Sequence, residues 1–374
     1  MKKSSLALAL LAAFAGAASA QTVTLYGRAS FAINSESGGD RSLQTDRSIT
    51  RFRDGGEATG VGGSRWGLRA SEDLGGGLSA NAVLESGFDL DAGTSRQGNR
   101  LFGRQVWVSL ASKSLGEVRF GRQLTATRTV LGIAEPSGDG ELKLRSTRAL
   151  SVGAGFTNPG TGSVILMTDF GGRVDNQIAY FSPKFSGFQV VGQLGLAENV
   201  SSSAARYQAL SLIYGAGPLN AGLSYEAYDG FGETYNKTIT LGANYNFGVV
   251  RLHAGLQNVS DASAPTSTTP QTAAANGPST NYNDASGYVI GAYVPFGKAE
   301  LRVSYASTDF ERDVGNFAGT TDNELDLTKL GVSLRYNLSK RTLVYTGFNL
   351  YGGDLEDFLV IKRELILFGM SHSF

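Results

Sequence analysis

The sequence predicts an all-β fold, a 16-stranded antiparallel transmembrane β-barrel with short periplasmic turns and long external loops. Three observations carry that prediction. Apolar residues recur with period two in sixteen segments, the connections between these segments alternate short and long, and the chain after its first twenty residues holds no apolar run of the ~18 residues that mark a spanning helix. Residues 1–20 read as a removable export leader and residues 21–374 as a single barrel domain.

The leader has a positive end at Lys2 and Lys3, an apolar stretch from Leu6 to Ala18, and a small-residue cleavage site at Ala18-Ser19-Ala20. Its apolar stretch is shorter than the ~20 residues of a membrane anchor. Cleavage after Ala20 leaves 354 residues, and the loss of two lysines leaves 31 basic against 33 acidic side chains.

The first strand sets the pattern. Val23, Leu25, Gly27, Ala29, Phe31 and Ile33 share one face, while Thr22, Thr24, Tyr26, Arg28, Ser30 and Asn34 share the other. Soluble strands usually run about 5–6 residues, whereas a tilted strand crosses a bilayer in ~9–11. The alternation then predicts strands at 64–72, 78–89, 100–111, 117–123, 172–182, 188–197, 205–214 and 219–228. It continues at 235–246, 249–258, 286–295, 299–307, 325–337, 341–350 and 361–374. In 325–337 the faces separate cleanly, with Leu330, Val332, Leu334 and Tyr336 against Lys329, Gly331, Ser333 and Arg335.

Seven connections are short, such as Glu72–Gly77, Gly215–Pro218 and Asn337–Lys340. They alternate with eight longer ones at 35–63, 90–99, 123–171, 198–204, 229–234, 259–285, 308–324 and 351–360. Outer-membrane barrels place short turns on the periplasmic side and long loops outside. Tyr180, Phe188, Tyr214, Tyr225, Tyr245, Tyr288, Phe296, Tyr305 and Tyr336 fall near strand ends, where rings with a polar edge favour the membrane interface. Phe374 closes an alternating last strand, the form expected of a signal to the barrel-assembly machinery.

Composition narrows the chemistry. With no cysteine there is no disulfide framework, thiolate metal site or cysteine nucleophile. Equal numbers of basic and acidic residues, 33 each, argue against nucleic acid as a partner. His253 and His372 are the two histidines, and neither has the acid and nucleophile that a hydrolytic site needs, so both read as structural. Gly291 to Lys298 lacks P-loop spacing and Gly60 to Gly63 has no helix after it, so both read as turn or barrel glycines. Asp89-Leu90-Asp91-Ala92-Gly93 lacks the ligand density of a Ca²⁺ loop.

Parity places Arg28, Arg65, Arg69 and Arg119 on inward faces, and Glu85 inward with Ser79 and Asn81. An Arg facing lipid at mid-depth costs about 2–4 kcal/mol, so charges belong inside. The 123–171 loop and its approach carry Arg122, Arg128, Lys143, Arg145 and Arg148 against Glu135, Asp139 and Glu141, a basic excess.

Several stretches bear a family likeness: Val23-Thr24-Leu25-Tyr26-Gly27, Ser64-Arg65-Trp66-Gly67-Leu68-Arg69, Glu72-Asp73-Leu74-Gly75-Gly76-Gly77-Leu78, and Gly116-Glu117-Val118-Arg119-Phe120-Gly121-Arg122-Gln123. Tyr245-Asn246-Phe247-Gly248, Asn337-Leu338-Ser339-Lys340-Arg341-Thr342 and His372-Ser373-Phe374 complete the set. In this order they resemble the general diffusion porins of Gram-negative outer membranes, in their β-proteobacterial form, across residues 22–374. The resemblance implies a homotrimer in the lipid bilayer of the outer membrane, without cofactor, whose third external loop folds into the pore. It also implies passive passage of small solutes and ions. Matching the family motif puts Arg65, Arg104 and Glu85 at the constriction, although Arg104 shares parity with Val106 and Val108, which a bulge near the strand end would reconcile. The expected constriction set is Arg28, Arg65, Arg69, Glu85, Arg104, Arg119, Glu135, Asp139 and Glu141, with a net positive field and a weak preference for anions. Two rival readings are an outer-membrane barrel enzyme, for which no catalytic constellation is found, and a secreted β-rich adhesin, which gives no reason for the loop alternation.

Overall fold

The computed structural model describes residues 22–40, 45–54, 62–137, 172–196, 206–230, 233–262, 284–311, 323–354 and 363–374. The leader at 1–20 lies outside them, as do the 259–285 loop beyond residue 262 and the 123–171 loop between 138 and 171. The strands are β1 (Thr22–Asp40), β2 (Thr45–Asp54), β3 (Arg65–Gly75), β4 (Leu78–Gly87), β5 (Gln105–Ser112), β6 (Gly116–Leu124), β7 (Arg173–Phe181), β8 (Phe188–Gly195) and β9 (Arg206–Ala216). They continue with β10 (Leu219–Gly230), β11 (Glu233–Asn246), β12 (Arg251–Ser260), β13 (Asp284–Phe296), β14 (Ala299–Glu311), β15 (Glu324–Asn337), β16 (Thr342–Gly353) and β17 (Arg363–Ser373). One helix, α1 (Ala126–Ala134), follows β6.

Sixteen of these strands make a closed antiparallel wall. Closure occurs where β1 pairs with β17, from Arg28↔Ser373 to Ser37↔Glu364. β1 is longer than the sequence pattern predicts, and its two halves have different partners on the other side. Thr22 to Arg28 pair with β3, and Phe31 to Asp40 pair with β2. β2 is thus a hairpin extension of the first wall strand, built from residues expected to be loop. Closing the sheet removes the unpaired edges that would otherwise invite association with other chains.

The faces sort as the alternation requires. On β15, Leu330, Leu334 and Tyr336 are exposed on the outside, while Lys329, Ser333 and Arg335 are buried on the inside. Val23, Leu25, Val108, Leu110, Ile239, Leu256 and Ile366 are likewise exposed outward. Such an apolar exterior is stable only against lipid. No described helix is long and apolar enough to cross a membrane, so the strands do the crossing.

Aromatic rings mark the two edges of this apolar band. Tyr180, Phe188, Tyr214, Tyr245, Phe296 and Tyr336 lie at strand ends next to the short turns, with Phe188 and Tyr214 4.6 Å apart and Tyr245 and Phe247 4.5 Å apart. Tyr288 and Tyr305, 6.2 Å apart, lie toward the opposite end of β13 and β14.

Two local irregularities interrupt the regular wall. β5 begins at Gln105, because Leu101 to Arg104 form a turn, and the ladder opens at Glu85↔Gln105. β6 and β7 slip register between Gly121 and Gln123, where Gly121 has φ +127°. A side chain at Gly121 would run into the Val106 backbone, so glycine is required for this bulge.

Candidate functional site

The inner wall is electrically one-sided. β1 and β3 bring Arg28 and Arg65 directly opposite one another. Like charges in that position destabilise a sheet, so the pairing is a cost that the fold carries. Glu85, on β4, supplies the counter-charge. Its Oε1 accepts from Arg104 Nε at 2.7 Å and its Oε2 from the Tyr26 hydroxyl at 3.0 Å. The Arg104 and Glu85 side chains are 11% and 7% exposed, so this pair is largely withdrawn from water. The charge of Arg65 also acts on Glu85, and those of Arg104 and Arg335 act on Arg28. Arg69 sets its guanidinium 4.2 Å from the Tyr26 ring centre, a cation–π contact. Among the described residues, Arg104 and Arg65 thus act on the Glu85 carboxylate directly, while Arg69 reaches it through Tyr26 and Arg28 stands near Arg104 and Arg335.

Arg104 joins this cluster without obeying strand parity. It stands one residue before the ladder and donates its backbone N–H to the Glu85 carbonyl at 3.1 Å. A residue in a turn is not bound to alternate, which resolves the conflict seen in the sequence. Arg335 was legible as an inward residue of its strand but not as a member of this cluster. The barrel closure that brings β15 near β1 is invisible without the fold.

Arg119 is placed differently. Its guanidinium lies between the Trp107 and Phe181 rings, 4.4 and 4.2 Å from their centres, and bonds Glu117 Oε2 at 2.8 Å. Glu135 is buried at the end of α1 and accepts from the Ser137 hydroxyl at 3.2 Å. Asp139 and Glu141 lie outside the described residues, as do Lys143, Arg145 and Arg148. Arg122 bonds Asp175 Oδ1 at 2.6 Å and the Gly103 carbonyl at 2.8 Å.

Across the bore, the third external loop turns inward as α1. Thr125 caps the helix by accepting from Arg128 N at 3.3 Å. Tyr207 and Glu226, both buried on the inner wall, hold its first turn. Ala126 N donates to Tyr207 Oη at 2.8 Å, Thr127 N donates to Glu226 Oε2 at 2.9 Å, and the Tyr207 hydroxyl donates to the same oxygen at 3.0 Å. A carboxylate suits the positive end of a helix. At the other end, the Ile133 carbonyl accepts from Asn244 Nδ2 at 2.9 Å and bonds His253 Nδ1 at 3.0 Å, and Arg302 donates to the Pro136 carbonyl at 3.2 Å. His253 is therefore a clamp on the loop. Leu131 and Ala134 pack with Val289 and Ala306 of the wall. Thr129 and Gly132 are the exposed residues of α1.

The other sequence motifs fall into structural roles. Asp89 pairs with Arg96 at 3.3 Å, Asp91 accepts from Asp54 N at 3.3 Å, and the buried Asp54 carboxylate takes Arg96 at 3.0 Å. Among the described residues no group of three His, Cys, Asp or Glu is placed to hold a metal ion. Gly291 sits on the inner wall and Gly297 and Lys298 form the β13–β14 turn. His372 bonds the Thr342 hydroxyl at 2.9 Å.

A closed barrel with an apolar outside, a charged inside and an infolded helix is a water-filled transmembrane channel. The chain belongs to the Gram-negative porin family, which it matches over residues 7–354. It is 32% identical to an outer membrane porin protein of Bordetella pertussis, over the full length of both chains, and 33% identical to outer membrane porin protein 32 of Delftia acidovorans, over 92% of this chain and 88% of that one. Among solved structures it resembles the anion-selective porin from Comamonas acidovorans, at 25% identity and TM-score 0.66, covering 95% of this chain and all of that one. It is a pore of the bacterial outer membrane.

Proposed function

We propose that this pore conducts small hydrophilic solutes and ions passively and favours anions. The observation that carries the reading is the run of arginines on one side of the inner wall, where Arg65 and Arg104 act on Glu85, Arg69 lies on Tyr26, and Arg28 stands near Arg104 and Arg335. Charges beyond about 8–10 Å are screened at 0.1–0.15 M salt, so this local excess outweighs the slightly acidic balance of the exported chain. A narrow, poorly hydrated bore strengthens each interaction further. The anion-selective neighbour from Comamonas acidovorans supports the same sign. Arg119, compensated by Glu117, contributes less to the field. The test is the reversal potential across a KCl gradient in a planar bilayer: a potential of anion-selective sign is expected, reduced in Arg65→Ala. A cation-selective sign in the parent protein overturns the reading.

The same proposal includes export through the 1–20 leader and assembly as a homotrimer. Ala29, Ala80 and Ala82 give the outer wall near β1 and β4 a flat surface on which a second barrel can rest. Gly27, the fourth small residue of that row, is instead covered by Phe374 of its own chain. Mass measurement in detergent that finds monomers at every concentration would sink the trimer.

A further inference from the structure

The inner wall beneath α1 carries a row of glycines. Gly222, Gly242 and Gly255 are direct register partners across β10, β11 and β12, and Gly291 follows on β13 opposite His253. All four face inward, where alternation elsewhere places larger polar side chains. Three aligned glycines weaken a sheet, since they pack nothing and lose the most freedom on folding. The close approach of α1 explains them. A Cβ at Gly222 would stand 3.0 Å from Ile133 Cδ1. At Gly242 it would stand 2.6 Å from the Val130 carbonyl oxygen, at Gly255 2.6 Å from Ala134 Cβ, and at Gly291 2.7 Å from Pro136 Cγ. The nearest neighbour at each belongs to α1 or to the two residues after it, while the wall itself comes next, with Val289 Cγ1 3.0 Å from a Cβ at Gly255 and the Val303 carbonyl oxygen 2.8 Å from one at Gly291. By contrast, a Cβ at Gly192, on the outer face of β8 with Val190 and Leu194, would meet nothing within 4 Å.

We infer that this glycine row is the seat that fixes the width of the pore. It is a trough one side chain deep, and it lets α1 lie flush on the wall instead of projecting into the bore. Tyr207, Glu226, Asn244, His253 and Arg302 pin the helix along the wall, while the glycines set how far it stands off. Carbon atoms rest at about 3.5–4.0 Å, so a methyl group at Gly255 pushes α1 toward the arginine wall by about 1 Å. Gly222, Gly242, Gly255 and Gly291 are thus positioning residues for conduction, although none lies at the constriction.

The test is single-channel conductance in a planar bilayer, with a size swap as the control. Gly255→Ala is expected to lower conductance, and adding Ala134→Gly, which removes the facing methyl, to restore it. Gly192→Ala is expected to conduct like the parent. Parental conductance in Gly255→Ala overturns the inference. So does a loss that Ala134→Gly leaves uncorrected, because the strain would then lie in the sheet against Val289. If Gly255→Ala yields no folded barrel, the reading is taken on Gly291→Ala, beneath Pro136, where parental conductance again overturns it. The inference rests on pore function and not on the sign of selectivity, which reversal potential reads separately.

Discussion

The ring of Phe374 lies over Gly27, filling the space that a side chain there would occupy. The same two residues exchange backbone hydrogen bonds, Gly27 N to Phe374 O at 3.0 Å and Phe374 N to Gly27 O at 3.1 Å. They form the last rung of the closing seam, so residue 374 locks against a glycine of the first strand. Tyr26 over Gly67 and Tyr345 over Gly369 repeat the arrangement within a few strands of the seam.

Gly27→Ala is therefore expected to reduce the folded fraction, measured as heat-modifiable migration on a gel, because the new methyl meets both the Phe374 ring and the Arg65 carbonyl. Phe374→Ala is expected to do the same through assembly, while the channels that form conduct normally. Altered conductance with parental assembly would contradict this.

Glu85→Gln removes the counter-charge of Arg104 while keeping a group that Tyr26 can bond. Breaking a largely buried ion pair from one side costs up to about 3–5 kcal/mol, at the lower end here because the bore holds water. The denaturation midpoint is expected to fall and the reversal potential to move further in the anion direction. A shift toward cations would show that Glu85 does not face the ion path.

Tyr207→Phe deprives Ala126 N of its acceptor and Glu226 of a donor. Leaving such buried groups unmatched costs about 1–3 kcal/mol. The wall should survive, while α1 loosens at its first turn. Greater open-channel current noise is the expected outcome, and a noise spectrum identical to the parent's would rule out the anchoring role.

Anion preference should weaken as KCl is raised from 0.1 to 1 M, since the screening length falls from about 10 Å to about 3 Å. Permeability ratios from gradients at both ends of that range check this. A ratio independent of salt would point to selection by size alone.

Period two found the wall because each side chain of a strand has two environments, and lipid on one side makes the contrast strong. It placed Arg28, Arg65, Arg69 and Glu85 inward for the same reason. It truncated β1 at residue 34, because the β1–β2 hairpin stands beyond the lipid-facing part of the wall, where polar residues can occupy both faces. Parity conflicts with the motif at Arg104 because the residue sits in a turn, where alternation does not apply. Gly222, Gly242 and Gly255 become one feature only when register aligns three strands, and Tyr207 and Glu226 become anchors only when the loop is seen to turn inward. What stayed hidden was the register between neighbouring strands, since alternation describes a strand alone.

The helix presents Thr129 and Gly132 to the bore, a hydroxyl and a bare stretch of backbone, opposite a bank of guanidinium groups. The two banks answer to different variables. One is governed by ionic strength and by any multivalent anion that crosses it. The other offers that hydroxyl and backbone, which neither acid nor salt alters, beside the half-buried Arg128 of the same helix. A solute in transit therefore meets fixed charge on one shore and mostly neutral groups on the other.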